Sequence, residues 1–145
     1  MEVYTIGFTK RTAAGFFGAI RHAGIKRLID VRLNNVSQLA GFTKKDDLAF
    51  FLGELCGAEY RHEPLLAPTQ EILDAYKKSK GSWSDYERSF NQLMGQRQIE
   101  LAIARDIFSV PTVLLCSEPA ADRCHRRLAA EYLQSKWEDL AISHL

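Results

Sequence analysis

The densest group of chemically versatile side chains lies near the C-terminus of the sequence. Cys116, Glu118, Cys124 and His125 fall within ten residues, and Arg126 follows directly. A thiolate is a nucleophile, while a carboxylate or an imidazole can move protons, so the first four are the candidate catalytic residues. Arginine binds carboxylates and phosphates through paired hydrogen bonds, which makes Arg126 a candidate substrate-binding residue.

The two cysteines allow three interpretations. If Asp122 is the N-cap of a helix, Cys124 lies in its first turn, where the partial positive charge favours a thiolate. Alternatively both are packing residues, because Cys124, Leu128 and Tyr132 recur every four residues, as on a core-facing helix. The third interpretation joins Cys116 to Cys124 in a redox or metal site. Seven residues separate them, unlike the short spacing of zinc knuckles, so no metal or cofactor is predicted.

A second group of polar residues lies at the end of an earlier predicted strand and in the loop after it. Asp30 and Arg32 are two apart, so their side chains share one face of the strand. Arg32 is a candidate anion clamp held by Asp30, or the two form an ion pair that only positions the next loop. The other candidate substrate-binding residues carry hydroxyl, amide or imidazole groups: Thr9, Asn35, Ser37, Gln38 and His144. The alternative for the loop residues is that they only satisfy their own backbone.

The elements that must position these residues alternate between strands and helices. Strands are predicted at residues 2–7, 26–32, 58–63, 110–116 and 140–144. Helices are predicted at 13–23, from a capping-box-like start at Thr43 to Gly57, and near 69–80, 84–105 and 120–135. This order predicts an α/β fold: a single three-layer domain with a mostly parallel sheet of about five strands flanked by helices.

The predicted topology gathers the candidate residues in one place. The near-continuous apolar run from Val110 to Cys116 is typical of a central parallel strand that is covered on both faces. In open parallel sheets, ligands bind outside the carboxyl ends of the strands. The sequence therefore predicts a site at that edge, where Asp30, Cys116 and His144 end or follow their strands.

Composition narrows the classes of protein that fit. The chain has 145 residues, 46% of them hydrophobic, and a net charge of +1, so we expect one soluble globular domain over residues 1–145. This near-neutral charge gives little support to nucleic-acid binding. There is no membrane-length apolar run and no signal-like start, and the three cysteines are an odd number. We therefore expect a cytoplasmic protein without a disulfide scaffold; its oligomeric state is not predicted.

Several of these segments also resemble one known family. The segments are Tyr4–Gly7, Asp30–Arg32, Phe42, Tyr60, Trp83…Tyr86-Glu87, Leu114–Glu118, Cys124–Arg126 and His144-Leu145. They resemble the family catalogued as domain of unknown function 488, along nearly the whole chain. The resemblance implies an α/β domain with its site around these motifs. Phe8-Thr9 replaces the His-Ser pair of many members, and Asn34-Asn35 and Ser37-Gln38 replace a Pro-rich loop, which points to a subfamily with its own ligand.

Two functional classes follow from the sequence. The first is an enzyme that acts on a small anionic or nucleotide-like substrate, with Arg32 and Arg126 holding the anion. The second is a binding module for nucleotides or nucleic acid, based on Arg123, Arg126 and Arg127 and on the polar residues of the segment 34–38. A cysteine-based redox or metal site is the further alternative. Neither a membrane nor a cofactor is an expected partner.

Overall fold

Five strands form one sheet in which every neighbouring pair is parallel. The computed structural model describes residues 1–36, 41–118 and 120–145. The strands are β1 (Glu2–Gly7), β2 (Arg27–Asp30), β3 (Glu59–His62), β4 (Thr112–Cys116) and β5 (Ala141–His144), in the order β3-β2-β4-β1-β5. The predicted α/β fold with a five-stranded parallel sheet is thereby confirmed.

Helices cover both faces of the sheet. They are α1 (Ala13–His22), α2 (Lys45–Phe51), α3 (Gln70–Lys77), α4 (Trp83–Arg97), α5 (Ile99–Ala102) and α6 (His125–Lys136). One core lies between the sheet and α1–α2, with Phe16, Leu28 and Val113 buried in it. The other lies between the sheet and α4–α6, with Phe90 and Leu114 buried in it. Within the described ranges, no helix has the length and apolar character needed to cross a membrane.

Local sequence explains where several elements begin and end. Thr12 caps α1, because its hydroxyl accepts a hydrogen bond from the Gly15 backbone N–H at 3.0 Å. After α2 the chain continues as a π-helical turn, Leu52–Cys56, which ends at Gly57. Gly57 has a φ of 60°, a left-handed conformation that glycine adopts without a steric penalty. Both ends agree with the predicted helix limits.

Three predicted helix limits are wrong. The helix predicted over 84–105 breaks at Gln98, which has a φ of 50°, and resumes only as the short α5. Thr43 belongs to a 3₁₀ turn, and the N-cap of α2 is Lys44, which makes no side-chain capping bond. Asp122 is not the N-cap of α6. Cys124 takes that position, with an extended backbone, one residue before the helix begins.

A close approach between two loops fixes the carboxyl edge of the sheet. Gly7 ends β1 opposite Cys116 of β4, and the chain after β4 folds back over it. A Cβ atom on Gly7 would lie 1.6 Å from the carbonyl oxygen of Glu118 and 2.8 Å from Nη1 of Arg126. No side chain fits there, so glycine is the residue that allows the β4–α6 loop to rest on β1.

Replacing Gly7 with alanine should therefore destabilise the fold. The loop backbone must move away, and overpacking of this kind costs typically 1–3 kcal/mol; we expect about 3 kcal/mol for Gly7→Ala. Gly18→Ala is the matched control, because Gly18 lies inside α1 with open space around its Cα. It should stabilise the protein by about 0.5–1 kcal/mol. Urea unfolding measures both, and equal effects would contradict the steric role of Gly7.

Candidate functional site

A cavity of about 420 Å³ opens at the carboxyl edge of the sheet. Its wall is built from the segments after β1, β2 and β4, from α3, and from the first turns of α4 and α6. The lining residues are Phe8, Arg32, Leu33, Asn34, Pro68, Gln70, Leu73, Asp74, Tyr76, Lys77, Lys78, Trp83, Tyr86, Cys116, Ser117, Glu118, Arg123, Cys124 and His125. The cavity thus lies where a parallel sheet is expected to bind ligands.

A buried ion pair holds Arg32 in the cavity wall. Arg32 donates from Nε to Oδ1 of Asp30 at 2.9 Å and from Nη2 to Oδ2 at 2.8 Å, which is a two-pronged contact. Nη2 also donates to the carbonyl of Thr43 at 2.7 Å, and the guanidinium lies over the ring of Phe8. Asp30 is fully buried and Arg32 is 5% exposed. The guanidinium is therefore held in one orientation.

One donor of this guanidinium is left over. Nη1 of Arg32 is buried and has no hydrogen-bond partner among residues 1–36, 41–118 and 120–145. Buried donors are almost always satisfied, because an unpaired one loses its bonds to water without replacement. Arg32 lines the cavity, so an anion bound there is the kind of group that Nη1 lacks.

Tyr60 completes the surroundings of Asp30 from the neighbouring strand. Its hydroxyl donates to Oδ2 of Asp30 at 2.7 Å and accepts from Nδ2 of Asn35 at 3.1 Å. Burial and the hydrogen bond to Asp30 raise the pKa of Tyr60, so the hydroxyl remains a donor. The ring of His62 also reaches this strand end, 2.8 Å from the carbonyl oxygen of Arg32.

Cys116 and Cys124 form a disulfide in the wall of the cavity. The bridge joins the end of β4 to the N-cap of α6 and spans eight positions of sequence. The odd number of cysteines led us to expect no disulfide framework. The structure has this one bridge at the candidate site, while Cys56 is free. Neither bridged sulfur is a nucleophile in this state, so the predicted nucleophilic role applies to the reduced protein.

Arg126 lies beneath the disulfide and is 1% exposed. Its Nη1 donates to the carbonyl oxygen of Glu118 and lies 3.5 Å from Sγ of Cys116, while Nε donates to Oγ1 of Thr5. Burial, together with the charge of Arg11, lowers the pKa of Arg126 to about 10, so it stays protonated at neutral pH. A full positive charge therefore sits beside the sulfur of Cys116.

His125 contacts the backbone of the adjacent strand. Its Nε2 lies 2.6 Å from the carbonyl oxygen of Val31, so the neutral ring carries its proton on that nitrogen. Burial, reinforced by the charge of Arg126, lowers the pKa of His125 to about 4. Each of Cys116, Cys124 and His125 offers one possible metal-ligand atom, a sulfur or a ring nitrogen, and these three atoms lie within 4.8 Å of one another. With the sulfurs bonded to each other, this trio is available to a metal only after reduction.

Glu118 and an aromatic group form the outer part of the wall. Oε1 of Glu118 accepts from Nζ of Lys77 at 3.0 Å, and both side chains are about half exposed. The rings of Tyr76, Trp83 and Tyr86 contact one another at centroid distances of 5.0–5.7 Å, and Trp83 is stacked on Tyr86. These rings give the cavity a flat aromatic side, and the Lys77 ammonium lies over the Tyr76 ring.

The predicted site residues fall into three sets. The cavity contains Arg32, Cys116, Glu118, Cys124 and His125, and Asp30 and Arg126 support it from behind. Thr9, Asn35 and His144 do not line it. Asn35 bonds to Tyr60, and Nδ1 of His144 lies 2.6 Å from the hydroxyl of Thr5. Ser37 and Gln38 lie outside the described residues.

Sequence reasoning missed the contribution of α3. Tyr76, Lys77 and Asp74 line the cavity, and Lys77 bonds to Glu118 across 41 positions of sequence. No local signal points to this pairing, because α3 is a short amphipathic helix without a buried residue. Tyr60 appeared only among the residues of the family resemblance, and nothing in its spacing indicates its bond to Asp30.

The low pKa of His125 makes stability depend on pH in a defined window. An unfolded histidine has a pKa near 6.5, so below that pH the unfolded chain binds a proton that the folded ring does not accept until about pH 4. The stability that the neutral ring contributes is present above about pH 6.5 and is lost as the pH falls toward 4.

His125→Gln should therefore flatten part of this dependence. We expect the free energy of unfolding to fall less between pH 7 and pH 4 in His125→Gln than in the original protein. His22→Gln, which changes an exposed histidine, should follow the original curve. Urea titrations at half-unit pH steps measure the slopes. Parallel curves for the original protein and His125→Gln would show that the ring titrates normally.

Comparison with known proteins identifies the family of this chain but no activity. No curated protein and no solved structure matches the chain significantly. The family described as domain of unknown function DUF488 matches residues 12–133. That span contains the Asp30–Arg32 pair and the whole segment from Cys116 to Arg126, and it covers most of the chain. The protein is therefore a member of the DUF488 family.

Proposed function

We propose that the cavity binds a small anionic molecule and that Arg32 holds its anion. The observation that carries this proposal is the buried, unpartnered Nη1 of Arg32. Asp30 neutralises the charge of Arg32 and occupies its Nε and Nη2, but leaves the third nitrogen unsatisfied. A carboxylate, sulfonate or phosphate oxygen would accept that bond without any rearrangement of the pair.

The charges around the cavity favour the same class of ligand. Four basic side chains and two acidic ones line it. Lys77 pairs with Glu118 and Lys78 with Asp74. Arg123 is exposed and makes no ion pair with any described residue. The cavity therefore offers one fixed guanidinium inside and one exposed cation at its rim, which attracts anions.

The aromatic wall extends the proposal to a ligand with a flat group. Trp83 and Tyr86 stack with their planes 20° apart and face the same cavity as Arg32. A volume of about 420 Å³ is within the usual range for small-molecule sites. An anion joined to a planar ring, as in a mononucleotide, would place its charge on Arg32 and its ring on these aromatics.

The other functions considered from the sequence have weaker support. Nucleic-acid binding relied on Arg123, Arg126 and Arg127 as one basic group. Arg126 is buried, and Arg127 forms ion pairs with Glu87 and Glu131, so the three do not make one exposed patch. A thiol enzyme needs a free sulfur, which the bridged cysteines do not supply in this state. Anion binding leaves the disulfide intact and requires only that a ligand oxygen reach the buried Nη1 of Arg32.

The test is a titration followed by the two tryptophan indole signals in a ¹H–¹⁵N NMR spectrum. Trp83 lines the cavity, whereas Trp137 follows the last turn of the 12-residue helix α6, about 18 Å from its N-terminus. We expect benzoate to shift the Trp83 signal saturably and leave Trp137 unmoved. Benzamide, its neutral counterpart, should bind at least tenfold more weakly. A second pair of titrations, with adenosine monophosphate and with adenosine, makes the same comparison for nucleotide-like ligands.

Variants of Arg32 test its role. Arg32→Lys keeps a charge for Asp30 but removes the extra donor, so benzoate should bind about tenfold more weakly, or about 1.4 kcal/mol. The double variant Asp30→Asn/Arg32→Gln removes both charges and avoids a lone buried carboxylate. It should lose the preference for benzoate over benzamide.

Lys26→Gln is the matched control for charge. Lys26 is exposed and precedes β2, at the opposite edge of the sheet from the cavity. Its replacement removes one positive charge and should leave benzoate affinity unchanged. Equal affinity for benzoate and benzamide in the original protein, or undiminished benzoate binding in Arg32→Lys, would overturn the proposal.

A further inference from the structure

We infer that the Cys116–Cys124 disulfide undergoes thiol–disulfide exchange with a small anionic thiol bound in the cavity. The sulfur of Cys124 is the one attacked, and Cys116 leaves as a thiolate beside Arg126. This inference rests on the proposed anion site and adds the substrate class: a molecule that carries both a thiol and an acidic group.

The location of the bridge gives the first argument. Cys116 is 1% exposed and Cys124 is 2% exposed, yet both line the cavity. A reagent that reaches these sulfurs must therefore enter the cavity rather than collide with an open surface. Arg32 lines the same cavity, so an anionic group on the reagent has a buried donor within the cavity that leads to the disulfide.

The surroundings of the two sulfurs are unequal, and this sets the direction of attack. Nη1 of Arg126 lies 3.5 Å from Sγ of Cys116, and this guanidinium is charged at neutral pH. A nearby positive charge stabilises a thiolate, and a more stable thiolate is a better leaving group. Cys124 lies at the N-cap of α6, where the helix dipole supplies about half a positive charge, which is less than the full charge of Arg126 beside Cys116. Attack at Cys124 therefore releases the sulfur that has the better stabilised negative charge.

The exchange balances without a further oxidant. The incoming thiolate forms a bond to Sγ of Cys124 while the bond between Sγ of Cys116 and Sγ of Cys124 breaks, and its electron pair remains on Cys116. A second thiolate then attacks the external sulfur of the mixed disulfide and releases Cys124 as a thiolate. Two anionic thiols are oxidised to one disulfide as the protein gains two thiols, and the reverse sequence reduces such a disulfide.

We expect the fold to persist without the bridge. It closes a loop of only eight positions, whereas the two cores on either side of the sheet involve residues along the whole chain. Short loops lose the least chain entropy on cross-linking, so the reduced protein should keep its structure. Both redox states can then present the same cavity.

Three two-carbon thiols that differ only in their second group make the test. They are 2-mercaptoethanesulfonate, 2-mercaptoethanol and cysteamine, which are anionic, neutral and cationic. Reduction of the bridge is followed by quenching with N-ethylmaleimide and intact-protein mass spectrometry. Each rate is expressed per thiolate. It is then divided by the rate at which the same thiol reduces 2-hydroxyethyl disulfide, a small reference disulfide, which removes differences in intrinsic reactivity between the thiols. We expect the sulfonate to react about tenfold faster than mercaptoethanol, with cysteamine the slowest.

Peptide mapping of early samples tests the direction of attack. Trypsin cleavage after Arg123 places the two cysteines in different peptides. The sulfonate adduct should be on Cys124 and the maleimide on Cys116; the opposite distribution would overturn the assigned direction. Arg32→Lys should bring the sulfonate rate close to that of mercaptoethanol, and Lys26→Gln should change neither.

The anion site and the exchange can fail separately. Ethanesulfonate, which has no thiol, is titrated against the Trp83 indole signal and used as a competitor. If it binds and depends on Arg32, but the three normalised rates are equal, the exchange inference is wrong and the anion site remains. A bridge that resists all three thiols until the protein unfolds would likewise refute the exchange alone. If ethanesulfonate neither binds nor slows the reaction, the anion site itself is refuted.

Discussion

A carboxylate that water cannot reach has to be matched by a fixed positive charge, and Asp30 imposes this constraint on the site. It is fully buried, and its two oxygens accept four hydrogen bonds: three from the backbone and side chain of Arg32 and one from Tyr60. Loss of Arg32 would leave the buried charge of Asp30 uncompensated, which typically costs about 3–5 kcal/mol. The chain leaving β2 and the ring on β3 are therefore held in one arrangement.

The same constraint shapes the cavity wall. Nε and Nη2 of Arg32 donate to Asp30, and Nη2 also donates to the carbonyl of Thr43. These bonds fix the orientation of the guanidinium, so Nη1 cannot turn toward another protein group. Phe8 packs against the guanidinium from β1 and keeps that side apolar. In the proposed function, a ligand would meet a preorganised donor, and little side-chain entropy would be lost when it binds.

The sequence was sufficient for the sheet and for the edge that carries the site. The apolar run before Cys116 indicated a central strand, and β4 does lie between β2 and β1. Parallel pairing then brought Asp30 and Cys116 to one edge, as expected from strand direction. The i, i+2 spacing of Asp30 and Arg32 likewise allowed the ion pair to be foreseen.

The remaining features depend on contacts that no pattern in the local sequence indicates. The break at Gln98 involves neither glycine nor proline, so the helical pattern continued through it. Lys77 meets Glu118 across 41 positions, and His125 meets the carbonyl of Val31 across 94. Such pairings depend on how the helices pack on the sheet, which the local sequence does not specify. The position of Cys124 just outside α6 was missed because Asp122 has the stronger preference for an N-cap.

The buried positive charge beside Asp30 and beside the disulfide comes from arginines rather than histidine. His125 is kept neutral at physiological pH by burial and by Arg126, so it adds no charge to the cavity. Arg32 and Arg126 act at different points instead. Arg32 lines the cavity and has a buried, unpartnered Nη1 among the described residues, while Arg126 lies beneath the sulfur of Cys116. In the two proposals made above, Arg32 receives the charge that arrives with a ligand, and Arg126 stabilises the charge that develops when the disulfide opens. Two arginines would then separate binding from bond breaking, which a single titrating imidazole could not do.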